Sequence, residues 1–129
     1  MTPALARRRV LKSVLIAGLF AAAPALAHHG WAWTEEKQTT LAGTIQSISM
    51  VPPHPVLKVK AADGVLWQVD LGNPIQTEKS GFRGDSAKVG DSITVLGNRA
   101  LDKTKHMKAV RITLAGKNYD MYPDRIHAH

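Results

Sequence analysis

Val65-Leu66-Trp67-Gln68-Val69-Asp70-Leu71 is the stretch on which the fold turns. Side chains on a strand point alternately to opposite faces. Here Val65, Trp67, Val69 and Leu71 share one face, and Gln68 and Asp70 fall on the other. That period of two predicts a strand with its apolar face in a core. Asp63-Gly64 lies just before it, a dipeptide suited to a tight hairpin turn. Upstream of the turn, Leu57, Val59 and Ala61 alternate with Lys58 and Lys60, so a second strand pairs back on the first.

Working outward, Leu41, Gly43 and Ile45 alternate, and the apolar phase then slips to Ile48 and Met50. A β-bulge produces such a slip. Val51-Pro52-Pro53-His54-Pro55 must be a loop, because prolines have no N–H to give to a ladder. Downstream, Asn73 suits a helix cap, Pro74 the first helical position, Gln76 a capping box and Gly81 the helix end. Val89-Gly90-Asp91 turns into a strand with Ile93 and Val95 inward. A last strand has Val110, Ile112 and Leu114 inward, after a polar loop from Leu101 to Lys105. Three strands, a short helix and two strands predict an all-β domain with one short helix. The order is that of a five-stranded OB-like barrel, with a half-open β-sandwich as the other arrangement of the same pattern. The expected organisation is a cleavable signal at residues 1–27, a lead-in at 28–40, the OB-like β domain at 41–116 and a flexible C-terminal tail at 117–129.

The first 27 residues read as an export signal. Arg7, Arg8, Arg9 and Lys12 precede an apolar run from Val14 to Ala23, and Ala25-Leu26-Ala27 has the small-residue spacing a signal peptidase cleaves. The run is shorter than the roughly 20 residues a membrane span needs, so no transmembrane anchor is expected after cleavage. The protein is expected in the periplasm. Arg7-Arg8-Arg9-Val10-Leu11-Lys12 resembles the twin-arginine signal, although Ala6 stands where that signal prefers Ser or Thr; the general secretion route is the alternative.

Cleavage changes the charge. The full chain has 17 Lys+Arg against 10 Asp+Glu, a net of +7. Four of those cations lie in the signal, leaving 13 against 10, a net of +3. A basic total that suggests nucleic acid is therefore largely a property of the signal, and no nucleic-acid partner is expected. There is no cysteine, no phosphate loop, no serine in a nucleophile elbow and no arguable carboxylate pair, so no catalytic activity is expected.

The six histidines are His28, His29, His54, His106, His127 and His129. Cleavage after Ala27 would make His28 the first residue. Its α-amine and ring Nδ1 could then chelate one metal, a set that resembles the histidine brace of copper proteins. Amine and imidazole donors favour Cu(II) among divalent first-row metals. His54, in its proline-stiffened loop, and His106 sit in two loops that border the same face of an OB-type domain. The candidate metal ligands are His28, His29, His54 and His106, and copper is the expected ion. The alternative is a non-metal domain that binds a periplasmic protein or small ligand. His127 and His129 lie in the expected tail, where a His-Ala-His clip could bind metal adventitiously. Of Trp31 and Trp33, one is expected to pack against the domain.

Ala27-His28-His29, Leu41-Ala-Gly-Thr-Ile45, Pro53-His54, Trp67-Gln-Val-Asp-Leu-Gly-Asn-Pro74, Gly81-Phe82-Arg83 and Val89-Gly-Asp-Ser-Ile-Thr-Val-Leu-Gly97 together resemble a family of small exported bacterial proteins known as a domain of unknown function. Phe82 and Pro52 depart from its pattern, which often has Trp and Asn there. The resemblance implies export and a compact β domain, and it supplies no activity to carry over.

Fused to a reporter, residues 1–27 should direct export. Arg7→Lys with Arg8→Lys should abolish transport of a folded reporter if the twin-arginine route is used; undiminished transport would leave the general route.

Overall fold

The strand quoted above closes a ring of strands. The computed structural model describes residues 30–127; the expected signal, His28, His29 and His129 lie outside them. Of the described residues, 33–127 fall in one compact unit. Its elements are β1 (Thr34–Ser49), β2 (Val56–Ala61), β3 (Leu66–Asp70), helix α1 (Pro74–Ser80), β4 (Ser92–Ala100), β5 (His106–Leu114), β6 (Lys117–Asp120) and a 3-10 turn at Pro123–Arg125. β1 pairs antiparallel with β2 and β4, β2 with β3, and β4 with β5. A parallel pairing of β3 with β5 then closes these five strands on themselves. The domain is all-β with one short helix, and the ring has the OB-type strand order. A half-open sandwich would leave β3 and β5 unpaired.

Local chemistry explains the elements. The register of β1 against β2 shifts between Ile45 and Ser47, the bulge that the slipped phase predicts. Both backbone groups of Ile45 turn to the β4 approach: its N–H donates to Asp91 (2.9 Å) and its carbonyl accepts from Gly90 (2.8 Å). The Asp63-Gly64 turn has Gly64 at φ +85°, and the Val65 N–H donates to the Asp63 side chain at 2.9 Å. Helix α1 is capped by Asn73, which accepts the Gln76 N–H at 2.8 Å, and ends at Gly81 in the left-handed region. The core is filled by Ile45, Leu57, Val59, Val69, Phe82, Val95, Met107, Ala109 and Ile112, all fully or almost fully buried, with Trp67 and Tyr119 slightly more exposed. Gly97 is fixed by close approach, since a Cβ there would run into the Lys108 carbonyl on β5.

Three expectations need correction. The lead-in 28–40 is not separate from the domain: β1 begins at Thr34 and pairs with β4 from there. Glu35-Glu36-Lys37 shows no alternation because an irregularity interrupts the ladder between Thr34 and Gln38. The Asn98 amide bridges it, donating to the carbonyls of Glu35 (2.8 Å) and Glu36 (3.2 Å). The segment 117–127 is not a loose tail. β6 pairs with β5, Arg111 grips Asp120 through both carboxylate oxygens, and Met121 is fully buried. Beyond it, the Gln38 side chain donates to the Arg125 carbonyl (2.5 Å) and accepts the His127 N–H (3.3 Å). A single buried Tyr119 and a single Met121 are too few to mark a period. Finally, Asp70 does not face solvent, and the site is built around it.

Met121→Ala should destabilise the domain by about 2–5 kcal/mol, the usual effect of truncating a buried Met, read by urea unfolding. A change within about 0.5 kcal/mol, normal for a surface position, would mean the segment is loose.

Candidate functional site

Asp70 is the last residue of β3, held between Val56 on β2 and Lys108 on β5. Its side chain points away from the core, as the period of two requires. Two elements nevertheless cover it, and the residue is only 4% exposed. The β1–β2 loop brings His54 over one side. On the other side, parallel pairing sets Gln68 against His106 at the start of β5, one pleat from Asp70. Ring closure thereby supplies a lid for a polar residue.

The carboxylate is well provided with donors. Oδ2 accepts from His106 Nε2 at 2.9 Å, and Oδ1 accepts from Gln68 Nε2 at 3.1 Å. His54 Nε2 lies 3.7 Å from the same Oδ2. Lys58 Nζ donates to Gln68 Oε1 at 3.2 Å and so aims the Gln68 amide at Asp70. Burial pushes the Asp70 carboxyl pKa up. The hydrogen bonds from His106 and Gln68 and the charges of His106 and His54 outweigh it, and the pKa lies below the ordinary 3.8. Lys108, half-buried nearby, is pushed down by burial; Asp70 partly offsets this, and Arg125 adds to it.

Trp33 completes the surroundings. Its carbonyl accepts the Leu101 N–H at 2.9 Å, which ties the start of β1 to the end of β4. Its buried ring lies 4.3 Å from the His106 ring, tilted by 31°. With Trp33 on its face and Asp70 at its edge, the His106 side chain is 13% exposed. Trp33 is thus the tryptophan that packs against the domain. Trp67 is buried at a margin of the core, with Arg99 at 4.8 Å and Lys105 at 5.3 Å from its ring centre.

Of the expected ligands, His54 and His106 are brought to one carboxylate oxygen. His28 and His29 lie outside the described residues, and His127 is held through its backbone at Gln38. His106 is the first residue of β5 rather than a loop residue. Among the described residues, no group of three or more His, Cys, Asp or Glu side chains is arranged to hold a metal ion. Sequence reasoning missed Asp70 because alternation alone assigns it to the outer face. The available signal was positional: a carboxylate at the end of β3 in an OB-type order lies beside the first loop and the last strand.

Residues 17–109 match the model of a family of unknown function, DUF6152. The chain belongs to DUF6152. No curated protein matches it. The DUF6152 match contains His28, His29, His54, Asp70 and His106, and stops before β6 and His127. No helix among the described residues is long and apolar enough to cross a membrane.

Because its folded pKa is lowered, Asp70 adds stability that is fully present above the ordinary value of about 3.9 and is lost as pH falls through the folded value. Asp70→Asn should lower stability by about 1–3 kcal/mol at neutral pH, the usual effect of disrupting a buried hydrogen-bonded group. The gap to the parent protein should narrow as pH drops below about 3.9. Denaturant unfolding at stepped pH checks this, and a gap that widens toward acid would contradict it.

Proposed function

We propose that this DUF6152 chain is an exported periplasmic binding module that takes a copper ion through histidine donors. The observation that carries the reading is the meeting of His54 and His106 at one buried carboxylate. Clusters of this kind are poor devices for stability, since well-packed apolar residues often do as well or better. They are correspondingly good indicators of function. Carboxylates also serve beside metal-ligating imidazoles, where they fix the ring's orientation and the nitrogen that carries its proton.

This cluster alone does not make a complete copper site. The sequence offers further donors in the α-amine and ring of His28, which become available if the signal is cut after Ala27. Imidazole and amine nitrogen together favour Cu(II) over its divalent first-row neighbours. The proposed activity is capture and handover of the ion, with no catalytic step.

The non-metal reading is favoured by a different observation. A cavity of about 300 Å³ next to the His54 loop is lined by Met50, Pro55, Thr77, Phe82 and Arg83, with exposed Val51 and Ile75 near it in sequence. That volume is at the lower end for a small-molecule site, so an apolar ligand or peptide side chain is the alternative occupant.

Protein exported and processed to begin at His28 should bind one Cu(II) in a calorimetric titration. Protein carrying Gly-Ser before His28 should bind at least about ten-fold more weakly, since the extension keeps every imidazole and removes only the amine chelate. His54→Ala should also weaken binding, and removal of His127 to His129 should not. Equal affinity with and without Gly-Ser would exclude the amine chelate. Loss of binding on removing the C-terminal histidines would make the site an adventitious clip.

A further inference from the structure

Resting on the copper reading above, we infer that Asp70 is itself a metal ligand, that His54 Nε2 is its partner, and that His106 positions the carboxylate without binding the ion. The inference follows from where the protons must be. A backbone carbonyl can only accept a hydrogen bond. His54 Nδ1 lies 3.3 Å from the Pro55 carbonyl, so the proton of its neutral ring is on Nδ1 and the lone pair is on Nε2. That lone pair faces Asp70 Oδ2 at 3.7 Å. Two electron-pair donors thus look at each other across a gap, an arrangement that a cation stabilises.

The situation at His106 is the reverse. An ionised carboxylate only accepts, so the 2.9 Å contact between His106 Nε2 and Asp70 Oδ2 puts the His106 proton on Nε2, and the longer 3.4 Å approach of the Gln68 amide nitrogen to the same Nε2 is a contact between two donors. A ring nitrogen that carries its proton has no lone pair for a metal. His106 instead holds Asp70 in place, with Trp33 against its ring and Gln68 gripping the other oxygen.

The distances are compatible with this division, which the proton positions set. Imidazole nitrogen and carboxylate oxygen bind a first-row ion at about 2.0–2.2 Å, so two such donors on one ion are up to roughly 4 Å apart. The 3.7 Å gap at His54 accepts an ion with little movement. The 2.9 Å contact at His106 is a direct hydrogen bond and is already filled by a proton. One imidazole and one carboxylate form an open pair, to be completed by water or by donors from outside this face. Such a set suits a divalent ion that is bound and passed on.

The test uses Cu(II) as the probe on processed protein, with affinity from titration and the number of coordinated imidazoles from electron spin echo spectroscopy. His54→Ala should weaken binding at least about ten-fold and remove one imidazole from the count. Asp70→Asn should weaken it at least about ten-fold with the imidazole count unchanged. His106→Asn, which keeps a donor for Asp70, should change affinity less than about three-fold and leave the count intact. Loss of an imidazole in His106→Asn but not in His54→Ala would overturn the assignment while leaving the copper reading standing. So would unchanged affinity in Asp70→Asn. If Asp70→Asn does not fold, Asp70→Glu takes its place: it should alter the copper hyperfine coupling, and an unaltered spectrum overturns the assignment. Absence of any Cu(II) binding by the processed parent protein would overturn both the assignment and the reading beneath it.

Discussion

The parallel pairing of β3 with β5 is the interaction on which the rest depends. Every other pairing in the ring is antiparallel. Parallel strands need a long crossover, and here α1 and β4 fill the chain between them. Three residue pairs make the contact, Gln68 with His106, Val69 with Met107 and Asp70 with Lys108. One pair unites the core, through fully buried Val69 and Met107. The pairs on either side of it bring together the polar outer face. The same ladder therefore closes the core and assembles the site, so the site's geometry cannot be separated from ring closure.

A consequence is that Asp70 sits at a place where a charge is expensive. An isolated buried carboxylate would neutralise itself by taking up a proton. This one has its pKa held below the ordinary carboxylate value because His106 and Gln68 each donate to a separate oxygen and the charges of His106 and His54 add to this. His106 is in turn fixed by Trp33, whose backbone is tied to Leu101. Residues from the start of β1, the first loop, β3 and β5 thus converge on one functional group. Loops usually carry function because a rigid scaffold positions them; here Gln68, Asp70 and His106 come from strands, and His54 and Trp33 come from a loop and a turn.

Much of the ring was legible in the sequence because its strands bury one face and solvate the other. Val65 to Leu71, the slip after Ile45, the Asp63-Gly64 turn and the Asn73 cap all state their structure locally. What stayed illegible depended on contacts between distant segments. Thr34 to Thr40 is strand through backbone hydrogen bonds and the Asn98 bridge, which leave no alternation in the side chains. β6 is fixed by the Arg111–Asp120 pair and by burial of Met121, neither of which has a local period. The convergence of His54 and His106 followed from OB-type strand order, in which the first and fourth inter-strand loops border one face. Asp70 was hidden by the same rule that revealed its strand, since alternation says which face a residue takes and nothing about what later covers that face.

The most direct test of this picture is the protonation pattern of the two rings in metal-free protein, read from long-range proton–nitrogen correlations of ¹⁵N-labelled histidine at mildly alkaline pH. The expected result is a neutral His54 protonated on Nδ1 and a neutral His106 protonated on Nε2, two opposite tautomers around one carboxylate. A His106 ring protonated on Nδ1, or rapid tautomer exchange at both residues, would contradict it, because Asp70 would then not be gripping His106 and the ordered donor set would not exist.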